Sequence, residues 1–237
     1  SYPYCWRSDT KLMYRAVDSW FINVEKIKDR LIENNKKINW VPHNIGHNRF
    51  HNWLEGARDW NISRKRYWGC TIPIWVNENN NQDYIVIGSI KELEELSGIV
   101  NITDLHKDTI DPIIINKGGN IYRRIDDVFD CWFESGSMPY ARNRDINNME
   151  LKPAEFICEG LDQTRGWFYT LLIISTILDD KAPFKNVIVN GLVLAENGKK
   201  MSKKLQNYPD PNSIIEKYGT DALRVYLLFS PSAYAEP

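Results

Sequence analysis

Cysteine is scarce in this chain and never paired. Cys5, Cys70, Cys131 and Cys158 are far apart and no Cys-x-x-Cys occurs, which argues against a zinc ribbon. No stretch is apolar for long enough to span a bilayer, and none has the form of a secretory signal. Neither sign of charge is in excess. Thirty basic side chains face 31 acidic ones, so any surface for a polyanion must be a local patch. No segment repeats. These absences leave a reducing, cytosolic setting with free thiols as the expectation.

The 237 residues, 43% of them hydrophobic, suffice for one large domain or two modest ones with a real core. Aromatics reach 12%, with nine Trp, which suggests stacking or pocket surfaces. The chain opens at Ser1 without Met and stops at Pro237 just beyond an apolar run, as expected of a piece of a longer polypeptide.

Local patterning divides the chain. Lys11 to Val17 has strand character, and Lys26 to Asn35 reads as a helix. Asn39 to Asn48 reads as a polar turn region, and Arg49 to Asp59 as a helix. Ile72 to Val76 and Tyr84 to Ile87 are strand candidates around an Asn-rich loop, Asn77 to Gln82; Lys91 to Leu96 begins a helix, and Arg142 to Asn148 is a loop. From Ala154 onward a strand (Glu155 to Cys158), a helix (Gln163 to about Leu178) and a second strand (Lys185 to Asn190) spell a βαβ unit. A hairpin turn at Asn197-Gly198 follows, and helices start near Asp210-Pro211 and Asp221.

Ligands of open parallel sheets sit where strands end and helices begin. Here those places carry Glu159-Gly160-Leu161-Asp162-Gln163 and Asn190-Gly191. Gly160 and Gly191 admit a base or ribose close to the backbone. Asp162 can accept from ribose hydroxyls or cap its helix; Glu159 can orient an ammonium group or be an ordinary turn carboxylate. Gln163 and Trp167, four apart, can line a small pocket, or Trp167 can simply pack in the core. The run Gly198-Lys199-Lys200-Met201-Ser202-Lys203-Lys204 puts ammonium groups on a tight turn that could close over a polyanion. Alone it could equally be a solvated loop.

Several motifs read together resemble class I aminoacyl-tRNA synthetases of the Ile/Val/Leu subgroup. They are Trp60 to Gly69 (WNISRKRYWG), Asp127 to Ser137 (DVFDCWFESGS), Glu159 to Phe168 (EGLDQTRGWF) and Lys200-Met201-Ser202-Lys203. The wording of Ser1 to Ser8 and of Trp132 to Ala141 is most similar to the eukaryotic-type cytosolic isoleucyl branch.

The resemblance implies an α/β fold: the second half of a Rossmann-like catalytic domain with part of its connective insertion. It places the trailing edge of an editing insertion and a return hinge in 1–35, connective structure in 36–150, the Rossmann-like half with its KMSK loop in 151–205, and the start of a helical stem-contact region in 206–237. It implies an enzyme that activates L-isoleucine with ATP, taken as its Mg2+ complex, and passes the aminoacyl group to tRNA(Ile). Lys200 and Lys203 would be the catalytic charges at the triphosphate. Glu159, Gly160, Asp162, Gln163, Asn190, Gly191, Lys200, Ser202 and Lys203 would hold ATP or the adenylate, and Trp132, Gln163 and Trp167 the isoleucine side chain. No metal ligands are implied: Ser8 stands where relatives often have a second Cys, so no zinc is expected. Asn190 stands where bacterial relatives often have His. The family's H-x-G-H motif belongs upstream; His43-Asn44-Ile45-Gly46-His47 has one residue too many and reads as a polar turn. The segment alone is therefore expected to be inactive. The resemblance implies no membrane partner and leaves membership of a multi-synthetase assembly open. A non-catalytic module binding an RNA end through Arg64, Lys65, Arg66, Tyr67 and Trp68, or binding protein, is the alternative, with a valyl or leucyl paralogue beside it.

Overall fold

A computed structural model describes residues 2–5, 8–142, 151–202 and 205–234. It divides into two compact units, Ser1–Ile22 with Asn61–Val128, and Asn23–Trp60 with Phe129–Pro237. In chain order the principal elements are α1 (Lys28–Lys36), β1 (Asn39–Val41), β2 (Ile74–Asn77), β3 (Asn80–Val86), α2 (Ile90–Ser97), β4 (Ile114–Lys117), β5 (Asn120–Arg124), α3 (Cys131–Gly136), β6 (Ala154–Gly160), α4 (Trp167–Asp179), β7 (Phe184–Asn190), α5 (Pro211–Tyr218) and α6 (Thr220–Phe229). Among the described residues no helix is long and apolar enough to cross a membrane.

The first unit is built on an antiparallel sheet, ordered β3-β2-β5-β4. Its core gathers Trp75, Leu93, Ile110, Ile115 and Tyr122. The Trp75 indole N–H is satisfied by the Ile113 carbonyl at 2.8 Å, as burial of that ring requires. Arg124 is buried too, and its guanidinium donates to the Asp111 carboxylate at 2.6 Å and the Asp127 carbonyl at 2.8 Å. The expected Asn-rich loop is shorter than its composition suggests, because β3 already starts at Asn80. Asn77 and Tyr122 both donate to Asp83 and hold that carboxyl below its ordinary range. The strand expected over Lys11 to Val17 is absent but for one bridge at Lys11. Met13 and Tyr14 are about nine-tenths exposed, so the large apolar side chains of this segment are not packed against a sheet.

The second unit carries a parallel sheet ordered β6-β7-β1. The β6–α4–β7 connection is the βαβ unit the sequence predicts. Helix α4 is apolar nearly all round, and Phe168 through Thr176 are buried, so it is the unit's central helix. Strand β7 turns Val187 and Val189 inward. Its other face, with Ile188 beside Val41 and Cys158 in register, is open.

Asn39 to Asn48 is not a polar turn region. It holds β1 and then a wide helical turn, Ile45–Phe50, in which the His51 N–H reaches the Gly46 carbonyl. Trp40 decides this: it is 2% exposed and packs on Phe50, Phe168 and Phe184, with ring centroids 5.0, 5.8 and 6.4 Å away. Its indole donates to Asn35 Oδ1 at 2.9 Å. A Cβ on Gly46 would lie 2.1 Å from Trp40 Cδ1, so Gly46 is there for the Trp. His43 and His47 stack at the surface, 3.7 Å between centroids.

Candidate active site

The carboxyl ends of β6 and β7 lie side by side, with Gly160 paired to Asn190 and Glu159 to Val189. Two of the predicted groups, Gly160-Leu161-Asp162-Gln163 and Asn190-Gly191, therefore converge on one sheet edge. Glu159 is exposed there, Asp162 is exposed and Asn190 is half-buried.

Asp162 does not cap α4. A single tight turn, Leu161–Arg165, separates β6 from the helix, and α4 starts only at Trp167. The acceptor for the first helical N–H is Gln163 Oε1, 3.0 Å from the Trp167 nitrogen. That leaves the Asp162 carboxylate at the strand end, where a Cβ on Gly160 would come within 2.8 Å of its Oδ1. Gln163 Nε2 donates to Asp162 Oδ2 at 3.3 Å. Gln163 thus joins the helix start to the carboxylate at the edge, a link invisible in a sequence where Ser, Thr, Asp and Asn are the usual capping residues.

The aromatic wall comes from α3. Asp130 Oδ1 accepts the Trp132 N–H at 3.3 Å and so starts that helix, while Oδ2 takes the Trp60 indole N–H at 3.0 Å. Trp132 is 41% exposed. Its ring edge reaches Gly166: a Cβ there would be 3.2 Å from Trp132 Cη2 and 2.8 Å from Gln163 Oε1. Trp167 is half-buried, and its indole donates to the Ser135 carbonyl on α3 at 3.1 Å. Trp132, Gln163 and Trp167 are thus brought together around Gly166, a residue the sequence reading passed over. The one signal available was its place directly before Trp167 in the Glu159 to Phe168 motif.

The basic turn follows β7 directly. Gly198 has φ +71°, and Leu194 bridges Lys200 across the turn. Asn207 clamps the motif, accepting from the Ser202 N–H at 2.9 Å and donating to the Lys200 carbonyl at 3.2 Å. The Ser202 hydroxyl accepts from the Leu205 N–H at 3.2 Å. Met201 is half-buried and lines a cavity of about 680 Å³ with Leu194, Ala195, Tyr208 and Pro209. Lys200 is exposed. Lys203 and Lys204 lie outside the described residues. The Gly191 N–H is taken by the Ser232 carbonyl at 2.6 Å, so its amide is engaged within the protein.

The basic-aromatic run in the other unit is used mostly at home. Arg64 donates to the Asn61 carbonyl at 2.8 Å, Lys65 pairs with Asp127 at 3.2 Å, and Trp68 stacks on His106 at 4.9 Å. Among the described residues no group of three or more His, Cys, Asp or Glu side chains could hold a metal ion.

The family model for class I tRNA synthetases (I, L, M and V) matches residues 7–236. Cytoplasmic isoleucine--tRNA ligase of Schizosaccharomyces pombe is 61% identical over 243 residues, covering 100% of this chain and 23% of that protein. The probable cytoplasmic isoleucine--tRNA ligase of Dictyostelium discoideum is 59% identical, with 100% and 23% covered. The chain thus spans about a quarter of the length of these relatives. Among solved structures, Mycobacterium tuberculosis methionyl-tRNA synthetase in complex with methionyl-adenylate aligns with 96% of this chain and 36% of its own, at a TM-score of 0.56 and 16% identity. A LeuRS of Agrobacterium radiobacter K84, in a ternary complex with tRNA and LeuAMS, has a TM-score of 0.54 at 25% identity, with 76% and 25% covered.

Proposed function

The chain belongs to the class I tRNA synthetases of the isoleucine, leucine, methionine and valine group, and from that membership we propose that it is the later half of the catalytic domain of a cytoplasmic isoleucine--tRNA ligase. The observation that carries the proposal is the convergence of Gly160, Asp162 and Asn190 on one sheet edge, next to the Trp132–Gly166–Trp167 cluster. The reaction is activation of L-isoleucine by ATP, taken as its Mg2+ complex, followed by transfer to tRNA(Ile). The isoleucine carboxylate attacks the α-phosphate and pyrophosphate leaves; no covalent enzyme intermediate forms.

This chain's own residues supply position and charge. Asp162 accepts the ribose hydroxyls, and Glu159 orients the amino group of isoleucine. Gly160 lets the nucleotide approach the backbone. Trp132, Gln163 and Trp167 bound the aliphatic side chain. Lys200 and Lys203 neutralise the departing pyrophosphate, with Ser202 shaping their turn. Asn190 contributes a neutral side-chain contact, and Gly191 admits the nucleotide beside it. The remaining nucleotide contacts come from an H-x-G-H motif elsewhere in the longer protein, so the isolated chain does not catalyse exchange.

The test is isoleucine-dependent ATP–pyrophosphate exchange by the full-length protein, with Lys200→Ala and Lys203→Ala as variants. Exchange supported best by isoleucine, with valine weaker by only about 10–200-fold because a single methylene separates the two, and reduced about tenfold or more in Lys203→Ala, is expected. Exchange driven best by leucine or valine would overturn the isoleucine assignment; exchange unaffected by both lysine variants would remove the charge-stabilising role.

A further inference from the structure

The face of the parallel sheet away from α4 carries a pair of side chains with a role of its own. Residues two apart across neighbouring strands project from the same face. With Cys158 in register with Ile188, and Gly160 with Asn190, the side chains of Cys158 and Asn190 meet there. The Cys158 thiol donates to Asn190 Oδ1 across 3.3 Å. We propose that Cys158 is a positioning residue for adenylate formation: its S–H holds the Asn190 carboxamide by the oxygen, so that what the strand end offers the nucleotide is the pair of Nδ2 donors.

The argument rests on the synthetase assignment above and on the two-ended nature of an amide. Half a turn about its terminal bond exchanges an acceptor for two donors. Phosphate oxygens only accept and need donors; a carboxamide oxygen facing a phosphate would repel it. A side chain at the end of a strand has little else to select between the two orientations, and a protonated thiol on the adjacent strand selects one. Partial desolvation by its neighbours on this face, and then the nearby Glu159 charge, push the Cys158 thiol above its ordinary value, which keeps it a donor at neutral pH. A neutral pair of this kind supplies donors without adding charge. That differs from the lysines of the turn, which act through charge.

The experiment measures the affinity of full-length protein for a non-hydrolysable isoleucyl-adenylate analogue, with ATP–pyrophosphate exchange and the melting temperature in parallel. Loss of one orienting hydrogen bond should weaken binding about threefold to tenfold in Cys158→Ala. The melting temperature should stay unchanged, and Cys158→Ser, which restores a donor, should recover most of the loss. On an Asn190→Ala background, Cys158→Ala should have almost no further effect, because its action runs through Asn190. Cys158→Ala binding as wild type does, effects of the two substitutions that multiply independently, or no recovery in Cys158→Ser would each overturn the inference and leave the synthetase assignment standing. Absence of isoleucine-dependent exchange in the wild type would remove the assignment and this inference with it.

Discussion

Gly46→Ala separates scaffold from chemistry in the segment His43 to His47, which looks most like a catalytic motif and does not belong to the candidate site. The added methyl would overlap Trp40, with 2.1 Å to Cδ1 and 2.2 Å to Cγ. Trp40 cannot retreat: it is 2% exposed and wedged among Phe50, Phe168 and Phe184. Forcing a methyl into such packing costs about 1–3 kcal/mol. Tilting the indole also threatens its bond to Asn35 Oδ1, worth about 1 kcal/mol. A total of roughly 2–4 kcal/mol corresponds to a fall in melting temperature of about 5–15 °C for a unit of this size. Thermal unfolding followed by tryptophan fluorescence reads this directly, since Trp40 is among the reporters. His43→Ala and His47→Ala, at an exposed stack, should leave both stability and ATP–pyrophosphate exchange near wild type. An unchanged melting temperature in Gly46→Ala, together with loss of exchange in His47→Ala, would refute the assignment of this segment to the scaffold.

Gly166→Ala should both loosen the α4 start and shift Trp132; an isoleucine KM raised several-fold, with stability lowered by about 1 kcal/mol for the lost Gln163 cap, is expected, and an unchanged KM would detach Gly166 from the pocket. Burial raises Tyr169 from 10.0 to about 12, with Asp59 adding to it, and raises Tyr140 in the same direction. Between pH 10 and 12 the folded protein keeps the Tyr169 proton that the unfolded chain releases, so its stabilisation is full below pH 10 and is lost as pH rises, by roughly 3 kcal/mol. Urea midpoints that stay level from pH 9 to 11.5 would contradict this. The open sheet face exposes 56% of Phe156 and 40% of Ile188. Parallel sheets are normally covered on both faces. The isolated chain should therefore self-associate, and Phe156→Ser with Ile188→Ser should reduce that association in analytical ultracentrifugation; equal association by both would place the sticky surface elsewhere.

The unit with the parallel sheet was largely legible in the sequence, because its signals are local. A β-rich run, a strongly apolar helix and a second run of Val and Ile spell β6, α4 and β7. Asp210 before Pro211 announces α5, and its carboxylate does accept the Asn212 N–H, at 3.1 Å. Features that depend on distant partners were not legible. Trp40 turns an apparently polar stretch into strand and helical turn by packing on Phe168 and Phe184, more than a hundred positions away, as well as on nearby Phe50. The true start of α4 depends on Gln163 folding back, a choice propensity does not favour. Lys11 to Val17 has strand character but, beyond the Lys11 bridge to Tyr4, forms no ladder among the described residues. Of the site, the residue types and their convergence could be read; the Gln163–Asp162 link, the role of Gly166 and the Cys158–Asn190 bond needed coordinates.

The most direct test is calorimetric titration of a non-hydrolysable isoleucyl-adenylate analogue into the full-length protein, comparing wild type, Asp162→Ala and Trp167→Ala. If the ends of β6 and β7 hold the nucleotide and the Trp167 cluster holds the aliphatic group, each substitution weakens binding by at least tenfold, through lost ribose hydrogen bonds in one case and a lost pocket wall in the other. Wild-type affinity retained in both variants would mean that the ligand sits elsewhere.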